Sequence, residues 1–340
     1  TADFLIDNRV IILEDPRIRA PTSANLGLIF SQDYWWPRYV TGNYRPLTTL
    51  SYLFNYAVLG NATHPTGYHV VNLVLHWANA VLAYLLALAL AGAFWPAFWA
   101  GVLFAVHPVA TEAVTNVVGR ADLMATLAVL GGLLLYATAR RVRGPGALPW
   151  LAGLAVAALA GVLSKESAVA LLGLMVAWDV LVARGEGSRV AGYVAVLPAG
   201  LCLWYLRARF AENLGPRMHV FGDNPLFGAE FWAARATAIK VIGQEIWLLL
   251  WPRWLSCDYS YDQIPLVGWG AGGWENGKVV LALAAIAALG VLALRALRRR
   301  PAISFLVAFF FVTLLPSANL LVLIGSIKAE RFLYLPWLGF

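Results

Sequence analysis

The sequence predicts an all-α protein that crosses a membrane many times, with about nine transmembrane helices and long extracytoplasmic loops. Three observations carry that expectation. Of 340 residues, 61% are hydrophobic and 13% charged, against roughly 45–50% apolar and about 25% charged in soluble domains; mean hydropathy is +0.70. Apolar runs close to the ~20 residues that a spanning helix needs recur along the chain. The basic residues between those runs are clustered. An excess of 25 Lys and Arg over 18 Asp and Glu, a formal +7, would suggest nucleic acid in a soluble protein; between membrane spans it marks cytoplasmic loops. Two cysteines, Cys202 and Cys257, cannot supply a disulfide framework or a four-ligand zinc site.

Spans are expected at 68–92, 93–108, 121–139, 147–164, 167–184, 189–206, 277–295 and 302–324, with another beginning near 332. The second is short. At about 1.5 Å per residue it falls well below the roughly 30 Å hydrocarbon thickness, so its outer end, His107-Pro108, is expected in a recess. The clusters Arg140, Arg141 and Arg143, then Arg184 and Arg189, then Arg295, Arg298, Arg299 and Arg300 should face the cytoplasm. Residues 207–276 must then begin and end outside, and the apolar stretch from Phe231 to Trp251 must not cross. Its Glu230, Thr237, Lys240 and Gln244 share one helical arc, as in a helix at the interface or packed in an outer cavity. The chain thus divides into a proline-punctuated first extracytoplasmic loop with interfacial helices (1–66), six transmembrane helices (67–206), a large extracytoplasmic loop with the interfacial helix (207–276) and C-terminal transmembrane helices (277–340). No Met precedes Met124 and the last residues are an apolar run, so the chain reads as a fragment of something longer. The basic excess is an orientation signal and calls for no nucleic-acid partner.

Ionisable residues near membrane depth are costly and are functional candidates by default. His69, Asn72 and His76 share one helix face; such a seam either bonds neighbouring helices or lines a cavity. Glu112, Asn116 and Arg120 fall on one flank at helical spacing, and Arg120 can pair with Glu112 or Asp122. Lys165-Glu166 occupies a turn between apolar helices, and Glu330-Arg331 precedes the last helix. Arg120, Lys165 and Arg331 therefore come from three outer helix ends, as a phosphate-linked lipid headgroup would require; mutual neutralisation by Glu112, Glu166 and Glu330 is the structural alternative. The first loop adds Asp3, Asp7, Asn8, Arg9 and Glu14-Asp15, any acid of which can serve as general base toward a hydroxyl. Its Trp35, Trp36 and Tyr44 suit stacking on a sugar, and an interfacial aromatic belt explains them equally.

The order of motifs is more specific than any one of them. Phe4-Leu-Ile-Asp7-Asn8, Tyr44-Arg-Pro-Leu-Thr-Thr-Leu-Ser-Tyr52, Gly67-Tyr-His-Val-Val-Asn72-Leu-Val-Leu-His76, Phe104-Ala-Val-His-Pro-Val-Ala-Thr-Glu112 and Val118-Gly-Arg-Ala-Asp122 are followed by Lys165-Glu166, Asp223-Asn-Pro225, Leu255-Ser-Cys-Asp-Tyr-Ser260 and Ala329-Glu-Arg-Phe-Leu-Tyr-Leu-Pro336. Over nearly its whole length the series resembles the membrane domain of the transmembrane and tetratricopeptide-repeat O-mannosyltransferases, the TMTC family, and their bacterial relatives.

That resemblance implies a fold of the GT-C type and an enzyme that moves a sugar, mannose in this family, from a polyprenyl-phosphate donor to a Ser or Thr hydroxyl of a protein acceptor, with inversion, outside the cytoplasm. It implies a catalytic acid in the first outer loop, which maps to Asp7. The family usually has two consecutive acids there. Here Asn8 follows Asp7, which keeps the base and leaves any two-acid role, such as holding a divalent metal, without its second carboxylate; no metal ligand is expected. Arg120, Lys165 and Arg331 would face the donor phosphate, His69, His76, His107, Glu112, Asp122, Glu166 and Glu330 would form the supporting polar network, and Trp35, Trp36 and Tyr44 would stack on sugar or acceptor. An earlier helix and a C-terminal repeat array that binds acceptor protein would lie outside this chain. The implied location is a bacterial inner membrane, in contact with membrane lipid, with the site facing the periplasm or exterior. Two rivals use the same features: a non-catalytic GT-C-like scaffold subunit of a larger complex, which Asn8 favours, and a lipid-linked sugar transporter or flippase, which polar helix faces favour. Against the latter, the charges gather on one side and no inverted repeat is visible.

Overall fold

The computed structural model describes Phe4 and residues 7–38, 41–142, 144–183, 189–211, 223–268 and 273–340. Asp3, Arg143 and Arg184 lie outside the described residues. Among the described residues all regular structure is helical: α1 Ser23–Ser31, α2 Pro46–Leu53, α3 Pro65–Ala91, α4 Phe94–Val106, α5 Thr111–Thr115, α6 Arg120–Arg141, α7 Leu148–Ser164, α8 Ala170–Leu181, α9 Val190–Ala211, α10 Phe231–Leu250, α11 Gly273–Ala296 and α12 Pro301–Leu314. The chain forms two compact units, one of residues 1–106, 111–175 and 185–217, the other of 107–110, 176–184 and 218–340.

Local sequence explains the longest helix. Pro65 starts α3 with a pre-set φ. Twenty-seven residues later Gly92, at φ +64°, closes it in the left-handed region that a side chain resists. Among the described residues, four helical segments are long and apolar enough to cross a membrane: Pro65–Ala91, Val117–Arg141, Gly144–Ser164 and Gly273–Ala296. A fifth is available if α4 and Pro108–Thr115, bent by 49° at His107, count as one broken span. The chain is therefore a multi-pass membrane protein, with fewer candidate spans than the nine expected.

The missing spans have physical causes. The α8 helix has 12 residues, about 18 Å of rise against roughly 30 Å of hydrocarbon. The apolar part of α9 stops at Leu206. The expected span 302–324 ends at Leu314; Pro316 follows, and Asn319, at φ +56°, diverts the backbone groups that a helix would have paired. Its Oδ1 accepts from Ile324 N–H (2.9 Å) and its Nδ2 donates to the carbonyls of Ser326 and Ile327 (3.1 and 3.3 Å). No helix begins near 332; Glu330–Leu333 and Pro336–Gly339 are single tight turns. Gly339 lies so close to the backbone of Phe310 that a Cβ there would collide with it.

The α10 helix, kept out of the membrane by the charge argument, is not among the candidate spans. The middle of its polar arc is nonetheless turned inward, while Glu230 is exposed and Gln244 half-buried. Thr237 and Lys240 are buried, and Lys240 donates to Glu275 Oε2 (2.7 Å) and to the Pro265 carbonyl (2.5 Å). The exposed positions are Phe231, Trp232, Trp247 and Leu250. A protein partner for Lys240 replaces water, so the amphipathic signal points to the interior.

The described part of the first 66 residues belongs to the first unit. Arg17 is 1% exposed, pairs with Asp15 (2.8 Å), and donates to the carbonyls of Asp33 (3.0 Å), Tyr34 (3.0 Å) and Trp36 (3.2 Å). Asp33 in turn accepts from the backbone of Trp35, Thr41 and Gly42. Removing one partner of a buried ion pair typically costs ~3–5 kcal/mol. Arg17→Ala should accordingly lower the thermal unfolding midpoint of the detergent-solubilised protein far more than Arg38→Ala, whose pair with Glu14 is exposed; equal shifts would remove the Arg17 cluster from its structural role.

Candidate functional site

In the first unit, the segment after Tyr44 fastens the ends of several helices. Thr48 donates to the Ser164 carbonyl (2.9 Å) and Tyr52 to that of Val117 (3.2 Å). Arg45 Nε and Nη2 both donate to Glu166 Oε2 (3.2 and 3.0 Å), and the guanidinium also lies 5.1 Å from the Tyr34 ring centre. Burial pushes the Glu166 carboxyl up, but Arg45 outweighs it and holds the group below its ordinary value. Lys165 Nζ donates to Asp122 Oδ1 (2.5 Å). Each cation of this group thus has its own carboxylate.

Asp7 adjoins the same group. It is half-buried, and its charge reaches the Tyr34 hydroxyl, which burial and Tyr52 push up, Arg45 pulls down and Asp7 pushes up further. The buried Asn8 side chain accepts from Val118 N–H (3.0 Å), so the residue in the place of a second acid anchors this segment to the turn before α6. The expected stacking residues are more confined. Trp35 packs on the core around Tyr34 and Ile12, Trp36 lies under Arg17, and the Tyr44 hydroxyl donates to the Phe30 carbonyl (2.8 Å).

Arg120 departs from expectation. The helix breaks at Asn116, whose extended backbone and side-chain cap on Val118 start a new turn. Glu112, buried in α5, and Arg120 therefore do not share a continuous helix flank. With no exposed surface, Arg120 donates to Asn72 Oδ1 (2.9 Å), Asn55 Oδ1 (2.5 Å), the Ser51 carbonyl (3.2 Å) and the Tyr68 carbonyl (2.9 Å). It is flanked by the rings of Tyr52 and Tyr68. Its fork is spent on neutral acceptors inside the fold, and Asp122 goes to Lys165. Gly119 enables this junction, since a Cβ there would run into the Ala113 carbonyl.

The polar seam on α3 bonds its neighbours. Asn72 donates to the carbonyls of Val114 and Asn116 (3.2 and 3.1 Å). His76 Nε2 lies 3.0 Å from the Ala105 carbonyl, and Asn79 donates to that of Leu123 (2.9 Å). His69 is half-buried on the same helix.

In the second unit, two motifs far apart in sequence meet. Glu330 Oε1 accepts from Ser256 N–H (2.6 Å) and the Tyr259 hydroxyl (2.9 Å), and Lys328 Nζ lies 4.3 Å over the Tyr259 ring. Asp258 accepts from the Ser260 hydroxyl (2.6 Å); that bond, aided by the charge of Arg331, holds it below its ordinary value. Asn224 donates to Asn319 Oδ1 (3.2 Å) and the Ile324 carbonyl (2.7 Å). His107 Nε2 donates to the Leu249 carbonyl (3.2 Å), its Nδ1 accepts from Val109 N–H (3.2 Å), and its ring packs 3.9 Å from Trp337. Glu245 is 2% exposed, and burial pushes it up to about 7, against the pull of Lys328. Arg331 belongs to this unit and Arg120 and Lys165 to the first.

Arg45, Ser51, Tyr52 and Asn55 were not singled out individually from the sequence. The first three lie in the Tyr44–Tyr52 motif, whose density of polar side chains in an apolar chain is the available signal. Among the described residues no three His, Cys, Asp or Glu side chains gather as a metal site.

Two stability measurements check this description. Lysine cannot reproduce four fork contacts, so Arg120→Lys should lose at least ~2 kcal/mol, read as a lower unfolding midpoint; an unchanged midpoint would show that the network is not needed. Folded Glu245 binds its proton more tightly than the unfolded chain does, so its contribution is full below pH 4.5 and is lost as pH rises through about 7. Glu245→Gln should flatten the pH dependence of the midpoint across that window.

Comparison with known proteins follows the same geography. The family model described as protein O-mannosyl-transferase TMTC, DUF1736, matches residues 219–288, which include α10 and much of α11. Human protein O-mannosyl-transferase TMTC4 is 30% identical over 391 aligned positions, 99% of this chain and 51% of that protein. Drosophila melanogaster Tmtc2 is 34% identical over 280 positions, 78% of this chain and 29% of its own length. Mouse TMTC3 is 27% identical across 99% of this chain and 39% of its own length. The chain spans about half the length, or less, of these curated relatives, and no solved structure matches it. The ordered motifs are thus matched by similarity running along nearly the whole chain, and the chain belongs to the TMTC family.

Proposed function

We propose that this chain is the membrane part of a GT-C type protein O-glycosyltransferase that moves mannose from a polyprenyl-phosphate donor to a Ser or Thr hydroxyl on the extracytoplasmic side. The named activity of the relatives supports the reaction class. The observation that carries the site is the position of Asp7: half-exposed, anchored through Asn8, and within electrostatic reach of Tyr34 beside the Arg45–Glu166 pair.

In this reading Asp7 takes the proton of the acceptor hydroxyl as its oxygen attacks the anomeric carbon. The bond from that carbon to the phosphate oxygen breaks, its electron pair leaves with the lipid phosphate, and the sugar carbon inverts. A phosphate leaves without being protonated, so nearby positive charge supplies the electrostatic help. Lys165 is the cation of the first unit for that role; Arg120 is committed to the fold by its four neutral contacts, and Arg331 belongs to the second unit. The acceptor would be presented by further chain, such as a repeat domain, and a divalent metal is not needed for the proton transfer.

The test uses full-length protein with polyprenyl-phosphate mannose and an acceptor, read by mass. Asp7→Asn should reduce turnover by about 10²–10⁴-fold, the usual worth of a positioned base, with the unfolding midpoint unchanged; undiminished turnover would remove Asp7 from the reaction. Lys165→Ala should weaken donor binding more than acceptor binding, and equal effects would count against the phosphate role.

A further inference from the structure

Arg45 grips Glu166 in an uneven way. A guanidinium and a carboxylate commonly meet fork to fork, one N–H on each oxygen. Here both N–H groups, from Nε and Nη2, go to Oε2 (3.2 and 3.0 Å). Oε1 is buried and has no hydrogen-bond partner. Buried acceptors are nearly always bonded, so an open one in a fixed position marks a missing donor.

The surroundings specify that donor. Arg45 locks the carboxylate in its ionised form, because its charge outweighs burial, and an ionised carboxylate only accepts. A phosphate is repelled; a hydroxyl is attracted. The neighbouring ammonium, Lys165, turns to Asp122 (2.5 Å) and makes no bond to Oε1, which leaves Oε1 to an O–H from outside the protein. The position is also the right one, because Arg45 bonds Glu166 on one side and packs on the Tyr34 ring on the other, and the Tyr34 hydroxyl lies in the field of Asp7.

We infer that Glu166 is a sugar-positioning residue: its Oε1 accepts a ring hydroxyl of the hexose carried by the donor lipid, while Arg45 fixes the direction of the acceptor. The inference rests on the proposed transferase reading and gives the first unit a second carboxylate toward substrate, in a different place from the adjacent acid that Asn8 replaces. The other source of a hydroxyl is the acceptor protein, and the experiment separates the two by omitting it.

Binding of polyprenyl-phosphate mannose, and of polyprenyl phosphate without sugar, is measured on full-length Asp7→Asn protein, with and without Glu166→Gln. The expected result is about tenfold weaker binding of the mannosyl lipid on losing the charge-assisted bond, with the sugar-free lipid unaffected. Equal loss for both lipids, or no loss for either, overturns the role. If Glu166→Gln fails to fold, the Asp7→Asn parent is titrated with mannosyl lipids each lacking one ring hydroxyl. One of them should bind about tenfold more weakly, and uniform affinity across the set overturns the inference. A parent that binds no mannosyl lipid at all overturns the transferase reading itself, and this inference with it.

Discussion

A guanidinium without exposed surface must have both its charge and its N–H groups answered inside the protein, because leaving them unanswered costs several kcal/mol. Arg120 is such a group, and the first unit is arranged around it. Its bonds go to the end of α2, the residues after it, and α3; two tyrosine rings close it in. One side chain at the start of α6 thereby ties the end of α2 to the first turns of α3. The neighbouring polar contacts depend on that arrangement: Tyr52 reaches the Val117 carbonyl, and Asn8 reaches Val118 N–H. The Asp7 segment is held in place by the turn that Arg120 terminates.

This ordering gives the charges different tasks. Arg17 and Arg120 are buried against carbonyl and amide oxygens, with Asp15 as the one carboxylate between them, and act as fasteners. Arg45, Glu166, Lys165 and Asp122 form ion pairs that are only part-buried, near the half-exposed Asp7. In the proposed reading ligand chemistry belongs to the second set, whose side chains keep some access. In the second unit Glu330 is likewise a fastener, joining 256–259 to the chain's last turns, while Arg331 beside it acts on Asp258 through charge.

Much of this was legible in the order of residues. The apolar composition, the long runs at α3, α6, α7 and α11 and the motif series identified a multi-pass membrane protein of the TMTC family. Within that series the Tyr44–Tyr52 and Ala329–Pro336 motifs proved to be fastening segments. The span count was overestimated because hydropathy registers apolar residues in short helices and in irregular backbone alike: Leu320 to Ile324 is as apolar as a helix interior, but Asn319 has taken its backbone bonds. The inward turn of α10 was hidden for a related reason, since an arc with Lys240 in it reads as water-facing until Glu275 is known to be its partner.

Sequence by itself determined what is set by composition and short range: helix rather than strand, the proline that starts α3 and the glycine that ends it, and the arginine clusters. Tertiary structure decided the pairings. Asp122 went to Lys165 and left Arg120 to amides and carbonyls; Glu166 went to Arg45 across 121 residues of sequence, with one oxygen left open. The reason is that charge and hydrogen bonding act through distances of about 3 Å, and which groups come that close is fixed by the packing of helices that are remote along the chain.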